Sequence, residues 1–194
     1  MGTRPVYYRD IWALGPAPNR PGCPGRFPQG FMPRLMKLWG MGKERRMMLF
    51  SGTFQEPGWV TVDIRPEMEP THVCNCEQLP FADASFDLIV MDPPYSEGEA
   101  RDLYGLPYVR MGTALNEAAR VLAPGGHMCL LHRNVYDRWN GASEHFRRLQ
   151  IVGIVGVFLL SCQSSMRALT VWRKRESLTQ FIGLEEAVSE GVSP

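Results

Sequence analysis

Phe86-Asp87-Leu88-Ile89-Val90-Met91-Asp92-Pro93-Pro94-Tyr95 is an apolar run that ends in an acid, a rigid turn and an aromatic ring. A short apolar run of this length, closed by prolines, reads as a buried strand. In an open α/β sheet the carboxyl end of such a strand opens on the binding crevice, and Asp92 falls there. Two consecutive prolines fix φ and carry no N–H, so the carbonyls of Pro93 and Pro94 stand on a stiff turn.

These residue types suit one chemistry. An exocyclic amine on a nucleobase is a poor nucleophile because its lone pair is delocalised into the ring. A carboxylate and a backbone carbonyl aimed at the amine hydrogens favour the pyramidal form and stabilise the positive charge that develops on it. Asp92 and the Pro93 carbonyl can serve in this way, and Tyr95 offers a flat face to a base extruded from its stack. The alternative is a strand-ending turn with Tyr95 as cover.

Working outward, strands are expected at residues 47–50, 59–63, 86–91 and 127–132, and a helix at 111–122. Ala123-Pro124-Gly125-Gly126 returns the chain to the fourth of these strands. Residues 31–39 carry Phe31, Leu35, Met36, Leu38 and Trp39 at mostly helical spacing, with Gly40 as a stop. Residues 151–160 and 167–172 fit a terminal antiparallel hairpin or edge pair. Five prolines and four glycines in residues 15–30 argue for a loop or arm without regular structure, and residues 176–194 read as a small helix or tail.

With 194 residues and 44% hydrophobic content, the chain is long enough for one core and short for two. No apolar stretch approaches the ~20 residues of a membrane span, and Met1-Gly2-Thr3-Arg4-Pro5 lacks an apolar signal region. A cytoplasmic or nucleoid-associated location without membrane contact is therefore expected. Cys23, Cys74, Cys76, Cys129 and Cys162 are odd in number and lack framework spacing, which implies reduced thiols. Cys74 and Cys76 have no second ligand pair, so no metal is expected.

The net charge of +1 hides an asymmetry. Residues 1–50 hold nine Lys or Arg against two acids, residues 51–100 one against ten, and residues 101–150 seven against four. A basic arm over residues 1–30 could follow a phosphate backbone, whereas Lys43, Arg45 and Arg46 read as a solvated surface.

Over residues 27–175 the chain resembles the class I S-adenosylmethionine-dependent methyltransferases. The match is carried by Leu79-Pro80-Phe81-Ala82-Asp83-Ala84-Ser85-Phe86-Asp87 before the Asp92 strand and by Arg120-Val121-Leu122-Ala123-Pro124-Gly125-Gly126 before the next. With Asp-Pro-Pro-Tyr in the catalytic slot, the resemblance is to the DNA amino-methyltransferase subgroup. It implies a single-domain Rossmann-like α/β fold, mostly parallel with a C-terminal antiparallel strand. It also implies S-adenosyl-L-methionine as cofactor and Asp92, Pro93, Pro94 and Tyr95 as catalytic residues.

For the cofactor it points to the turn Phe50-Ser51-Gly52, to Asp63 as acceptor from the ribose hydroxyls, and to Asn75 and Cys76 at the adenine, with Asn75 replacing the usual Asp. Phe27, in Gly25-Arg26-Phe27-Pro28, would line the methionine end, although it also suits a core. Phe54 stands where the family has a glycine, and the run from Thr53 to Gly58 is too short for a helix, so the first crossover must be short or irregular.

The implied substrate is the N6 amine of adenine in DNA, with the cytosine N4 amine, RNA, or a non-catalytic nucleic-acid-binding partner left open. Little sequence remains for target recognition. That task falls to the basic arm, to residues 96–110 as a lid, or to a recognition subunit or homodimer. His127 and His132 flank a strand, and amine methylation requires neither imidazole.

Overall fold

Met47, Met48 and Leu49 on one strand, and Leu88, Ile89, Val90 and Met91 on its neighbour, are all fully buried. Strands this apolar on both faces must lie mid-sheet between two covering layers. The computed structural model, which describes residues 7–15, 27–137, 140–159 and 166–176, shows this arrangement.

Eight strands form one sheet. In chain order they are β1 (Tyr8–Leu14), β2 (Arg46–Leu49), β3 (Trp59–Asp63), β4 (His72–Val73), β5 (Phe86–Met91), β6 (Leu122–His132), β7 (Leu149–Leu159) and β8 (Arg167–Lys174). Their spatial order is β1-β7-β8-β6-β5-β2-β3-β4, and β8 alone runs antiparallel to its neighbours. From β2 the chain builds outward through β3 and β4, then returns to β5 on the other side of β2. This reversal opens a crevice at the carboxyl ends of β2 and β5.

Side chains alternate between two layers, as the period of a strand requires. Met47, Leu49, Ile89, Met91, Met128 and Leu130 face one core. It is covered by α3 (Met111–Val121) and α4 (Glu144–Arg147), which follow α1 (Phe31–Leu35) and α2 (Glu97–Tyr104) in the chain. On α3, Met111, Ala114, Leu115, Ala118 and Val121 recur at helical spacing, and the alanines let the helix approach closely. Met48, Leu88, Val90, Cys129 and Leu131 face the other core, against α1, whose last turn widens into a π-helical segment over Met36–Gly40.

The first crossover lacks a helix, as its length requires. Aromatic rings cover the sheet there: Phe27 stacks on Phe31 with centroids 4.9 Å apart, and Phe54 lies edge-on to Trp59 at 5.3 Å. At the turn into β6, a Cβ on Gly126 would lie 2.8 Å from the Ala123 carbonyl oxygen and 3.0 Å from that of Asp87, so only glycine fits.

Two sequence expectations are corrected and a third is met. Residues 8–14 are not arm but the edge strand β1, anchored by buried Trp12 and Leu14 and paired with β7. The last two strands of the chain, β7 and β8, pair antiparallel as expected, with β8 inserted between β7 and β6. Residues 97–104 form α2 rather than a loop: the Ser96 hydroxyl accepts from the Glu99 N–H, and Gly105 ends the helix with φ of 65°. Most of the basic arm, Cys23, Cys162 and the tail beyond residue 176 lie outside the described residues.

Lys174 closes the α3 end of the structure. The residue is 3% exposed, and its ammonium donates to the carbonyls of Ala119 (2.7 Å) and Leu122 (2.6 Å), which the helix leaves unpaired. Lys174→Met keeps the stem but orphans both acceptors, so it is expected to destabilise the fold by about 2 kcal/mol in urea denaturation.

Candidate functional site

Two clefts open at the carboxyl ends of β2, β3 and β5. The first encloses about 860 Å³ including its mouth; Phe50, Gly52, Asp63, Asn75, Cys76, Asp92 and Pro94 line it from the strand ends, and Tyr104, Leu106 and Tyr108 from the opposite wall. The second is lined by Phe27, Met32, Phe50, Ser51, Phe54 and Asp92. Phe50 and Asp92 belong to both, so the carboxylate stands where the clefts meet.

The wall of the first cleft opposite the strand ends comes from the segment expected to be a lid over the base. α2 and the residues after it therefore lie over the Asp63 side of the crevice.

The turn after β2 is sharply bent. Phe50 has φ of 58° and Gly52 of 50°, both left-handed, and a Cβ on Gly52 would meet only the Arg65 guanidinium, at 3.8 Å. The Gly52 N–H donates to Asp63 Oδ2 at 2.8 Å. Asp63 is 6% exposed, and Arg65 supplies the rest of its coordination: the backbone N–H and Nε donate to Oδ1, both at 3.0 Å, and Nη2 donates to Oδ2 at 3.1 Å. Each oxygen thus accepts two hydrogen bonds, which fills the usual capacity of a carboxylate. The Arg65 guanidinium also lies 4.9 Å from the centroid of the Tyr104 ring, joining Asp63 to α2.

Asn75 forms a tight turn, its Oδ1 accepting from the Glu77 N–H at 2.9 Å. Cys76 beside it is buried, and burial pushes its thiol up to about 12, leaving it neutral. Ser51 is buried, and its Oγ has no hydrogen-bond partner among the described residues although the residue lines the second cleft. Among the described residues, no group of His, Cys, Asp and Glu is arranged to hold a metal ion.

At Asp92 the Tyr95 hydroxyl donates to Oδ1 at 2.6 Å and itself accepts from Arg167 Nη1 at 3.0 Å. Oδ2 has no hydrogen-bond partner among the described residues. Burial pushes the Asp92 carboxyl up to about 6; the Tyr95 hydrogen bond and the Arg167 charge oppose the shift, and Glu99 adds to it. The Glu99 carboxylate also accepts from the Tyr95 N–H, tying the turn to the first turn of α2. Pro93 is buried behind the site.

The Tyr95 ring is framed by groups not anticipated from sequence. Arg133 and Arg167 lie 5.5 and 6.0 Å from its centroid, and His132 meets it edge-on at 5.4 Å. His132 is fully buried; its Nδ1 accepts from the Asn134 N–H, so the neutral ring carries its proton on Nε2, and burial lowers its basicity. His127 lies midway along β6, opposite Leu88 and Arg173 and away from the clefts. Lys43, Arg45 and Arg46 are also distant, at the amino-terminal edge of the sheet, where Lys43 donates to the Gly125 carbonyl and Arg45 pairs with Asp87 at 2.6 Å.

No family model matches the chain, and no curated protein matches it in sequence. Solved structures share its fold. The [4+2]-cyclase SpnF superposes with a TM-score of 0.55 at 13% identity, covering 85% of this chain and 88% of that one. A protein from a study of disulfide-to-thioacetal conversion in echinomycin biosynthesis gives 0.54 at 13% identity, covering 91% and 93%. A chain from the complex of the Haloferax volcanii Trm112 methyltransferase activator with a methyltransferase gives 0.52 at 16%, covering 74% and 88%. The chain thus has the Rossmann-like α/β fold that these structures share. At these identities the likeness concerns fold alone.

Proposed function

We propose that this chain is an S-adenosylmethionine-dependent methyltransferase that modifies the exocyclic amine of an extruded nucleobase, with the N6 amine of adenine in DNA as the favoured acceptor. The observation that carries the reading is Asp92, a carboxylate at the junction of two clefts with Oδ2 unpartnered. The Asp that opens Asp-Pro-Pro-Tyr favours adenine over cytosine by the resemblance, and RNA remains a second nucleic-acid acceptor.

The cleft residues fit the cofactor with one adjustment. The unpartnered Ser51 hydroxyl and the Phe27 ring would hold the methionine end, Asn75 and Cys76 would border the adenine, and Asp63 would receive the ribose hydroxyls once Arg65 releases it. Bound there, the cofactor supplies an electrophilic methyl group on a sulfonium cation. Asp92 Oδ2 and the Pro93 carbonyl would each accept from one amine hydrogen, keeping the lone pair out of the base and aimed in line. Pro94 stiffens the turn and the Tyr95 ring would pack the base. The amine proton leaves to bulk water afterwards. A partner subunit or homodimer for base recognition belongs to this proposal; one fold neighbour comes from a complex with a methyltransferase activator.

A second reading, a methyltransferase fold that binds nucleic acid or a catalytic partner without reacting, is favoured by the saturation of Asp63. Calorimetric titration separates the two. The enzyme reading expects saturable binding of S-adenosylmethionine and of its demethylated product, and absence of heat with both would contradict it.

A further inference from the structure

Asp92 and Tyr95 lie at the end of β5, but the charges around them come from elsewhere. β6 and β8 pair antiparallel with His132 opposite Ala168, so the end of β6 and the start of β8 share one edge of the sheet. That register brings Arg133 and Arg167, 34 positions apart, to the same aromatic ring, at 5.5 and 6.0 Å from its centroid. Neither guanidinium is in a salt bridge among the described residues, whereas Arg45, Arg65, Arg110 and Arg120 each pair with a carboxylate. Arg167 uses Nη1 on the Tyr95 hydroxyl, and its Nη2 is buried without a partner among the described residues. A buried cationic N–H left unpaired is costly and calls for an anion.

We propose that Arg133 and Arg167 form a phosphate-binding subsite beside Tyr95, which takes the phosphate of the nucleotide whose base amine is presented to Asp92. The inference deepens the proposed function and rests on it for the identity of the base. A guanidinium presents its donors in a planar fork that matches a phosphoryl group, and two of them flanking an aromatic ring match a nucleotide, which has a flat base and an anion one sugar away. Arg167 is joined to Asp92 through the Tyr95 hydroxyl. With the amine on Asp92 Oδ2 and the Tyr95 hydroxyl still on Oδ1, Arg167 keeps Nη1 on that hydroxyl and has Nη2 left for the phosphate. Arg133 is exposed and attracts the same anion at the mouth. The shared chemistry is a phosphoryl oxygen, from a mononucleotide or from a polynucleotide backbone.

The test compares binding, by titration calorimetry in the presence of the demethylated cofactor, of deoxyadenosine, deoxyadenosine 5′-monophosphate, 2-deoxyribose 5-phosphate and a short single-stranded oligonucleotide. The wild type should bind the monophosphate about 10- to 100-fold more tightly than the nucleoside, the equivalent of one or two charged hydrogen bonds. Arg133→Gln, on the surface, and Arg167→Lys, which keeps the charge but not the fork, should each remove a large part of that preference. The double variant Arg133→Gln/Arg167→Gln should remove it entirely while deoxyadenosine affinity changes less than about threefold. Tighter binding of the oligonucleotide assigns the phosphate to a backbone; equal binding assigns it to a free nucleotide, and both support the subsite. Deoxyribose phosphate bound by the wild type and lost in the variants upholds the subsite even if no base is ever methylated, which would sink the amine reading alone. Equal affinity for nucleoside and monophosphate in the wild type, or a preference unchanged in the double variant, overturns the subsite and leaves the amine reading standing.

Discussion

Asp92→Asn is expected to abolish methyl transfer, by at least about a thousandfold, while making the unliganded protein more stable at neutral pH. Both effects have one origin. The site holds a carboxylate in surroundings that disfavour its charge, raising it from 3.8 to about 6. Between those values the folded state binds more protons than the unfolded state, so the Asp92 contribution to stability is full below about pH 4 and is lost as pH rises through 6. Above pH 6 the ionised group costs about 2–3 kcal/mol relative to a neutral isostere. Asparagine keeps an oxygen for the Tyr95 hydroxyl but presents an amide N–H toward the acceptor amine. In matched denaturation series the variant and wild type should agree near pH 4 and diverge by about 2–3 kcal/mol near pH 7. Wild-type turnover should rise with pH through about 6, since transfer needs the ionised form. Coincident stability at pH 7 would show that Asp92 is not held against its charge.

The second large effect divides Asp63 from Arg65. Asp63→Ala removes the acceptor of four hydrogen bonds and strands a half-buried guanidinium and the Gly52 N–H. Loss of about 3 kcal/mol of stability is expected, together with cofactor affinity weakened about 100-fold. Arg65→Ala should also destabilise the unliganded protein, by about 1–2 kcal/mol, because it leaves a buried carboxylate short of donors. Its effect on the cofactor runs the other way. The ribose hydroxyls no longer have to displace a guanidinium, so S-adenosylmethionine should bind about three- to tenfold more tightly by calorimetry. Weaker binding in Arg65→Ala would mean that Arg65 grips the ligand rather than competes with it.

Much of the fold was legible because strand signals are local. The apolar runs at residues 47–50, 59–63, 86–91 and 127–132 became β2, β3, β5 and the paired part of β6, and the short run between Phe50 and Gly58 already excluded a first crossover helix. β1 escaped notice because its burial rests on Trp12 and Leu14 alone, with Arg9, Asp10 and Ile11 exposed along an edge. α2 could have been read from Ser96 and Glu99 at capping-box spacing and from Gly105 as the stop. At the site, residues local to the Asp92 turn and the Gly52 turn were readable, and the structure brings Phe27, Phe50, Ser51, Gly52, Asp63, Asn75, Cys76, Asp92 and Pro94 to the two clefts. Tyr95 was readable as an aromatic at the site but not as the hydrogen-bond donor to Asp92. Arg65 stood in plain view two residues after Asp63. Arg167 did not, because its contact with Tyr95 spans 72 positions and depends on the register of β8. Lys43 and Arg45, read from the sequence as solvated surface, precede β2 and so lie at the end of the sheet away from the clefts.

The central claim, that Asp92 directs a methyl group to a base amine, is met most directly by tritium-labelled methyl transfer to duplex DNA, single-stranded DNA and RNA, with the labelled product digested to nucleosides. The account predicts label on the exocyclic amine, as N6-methyladenine from DNA, with the signal absent in Asp92→Asn. Label at a ring carbon, or equal incorporation by Asp92→Asn, would contradict it.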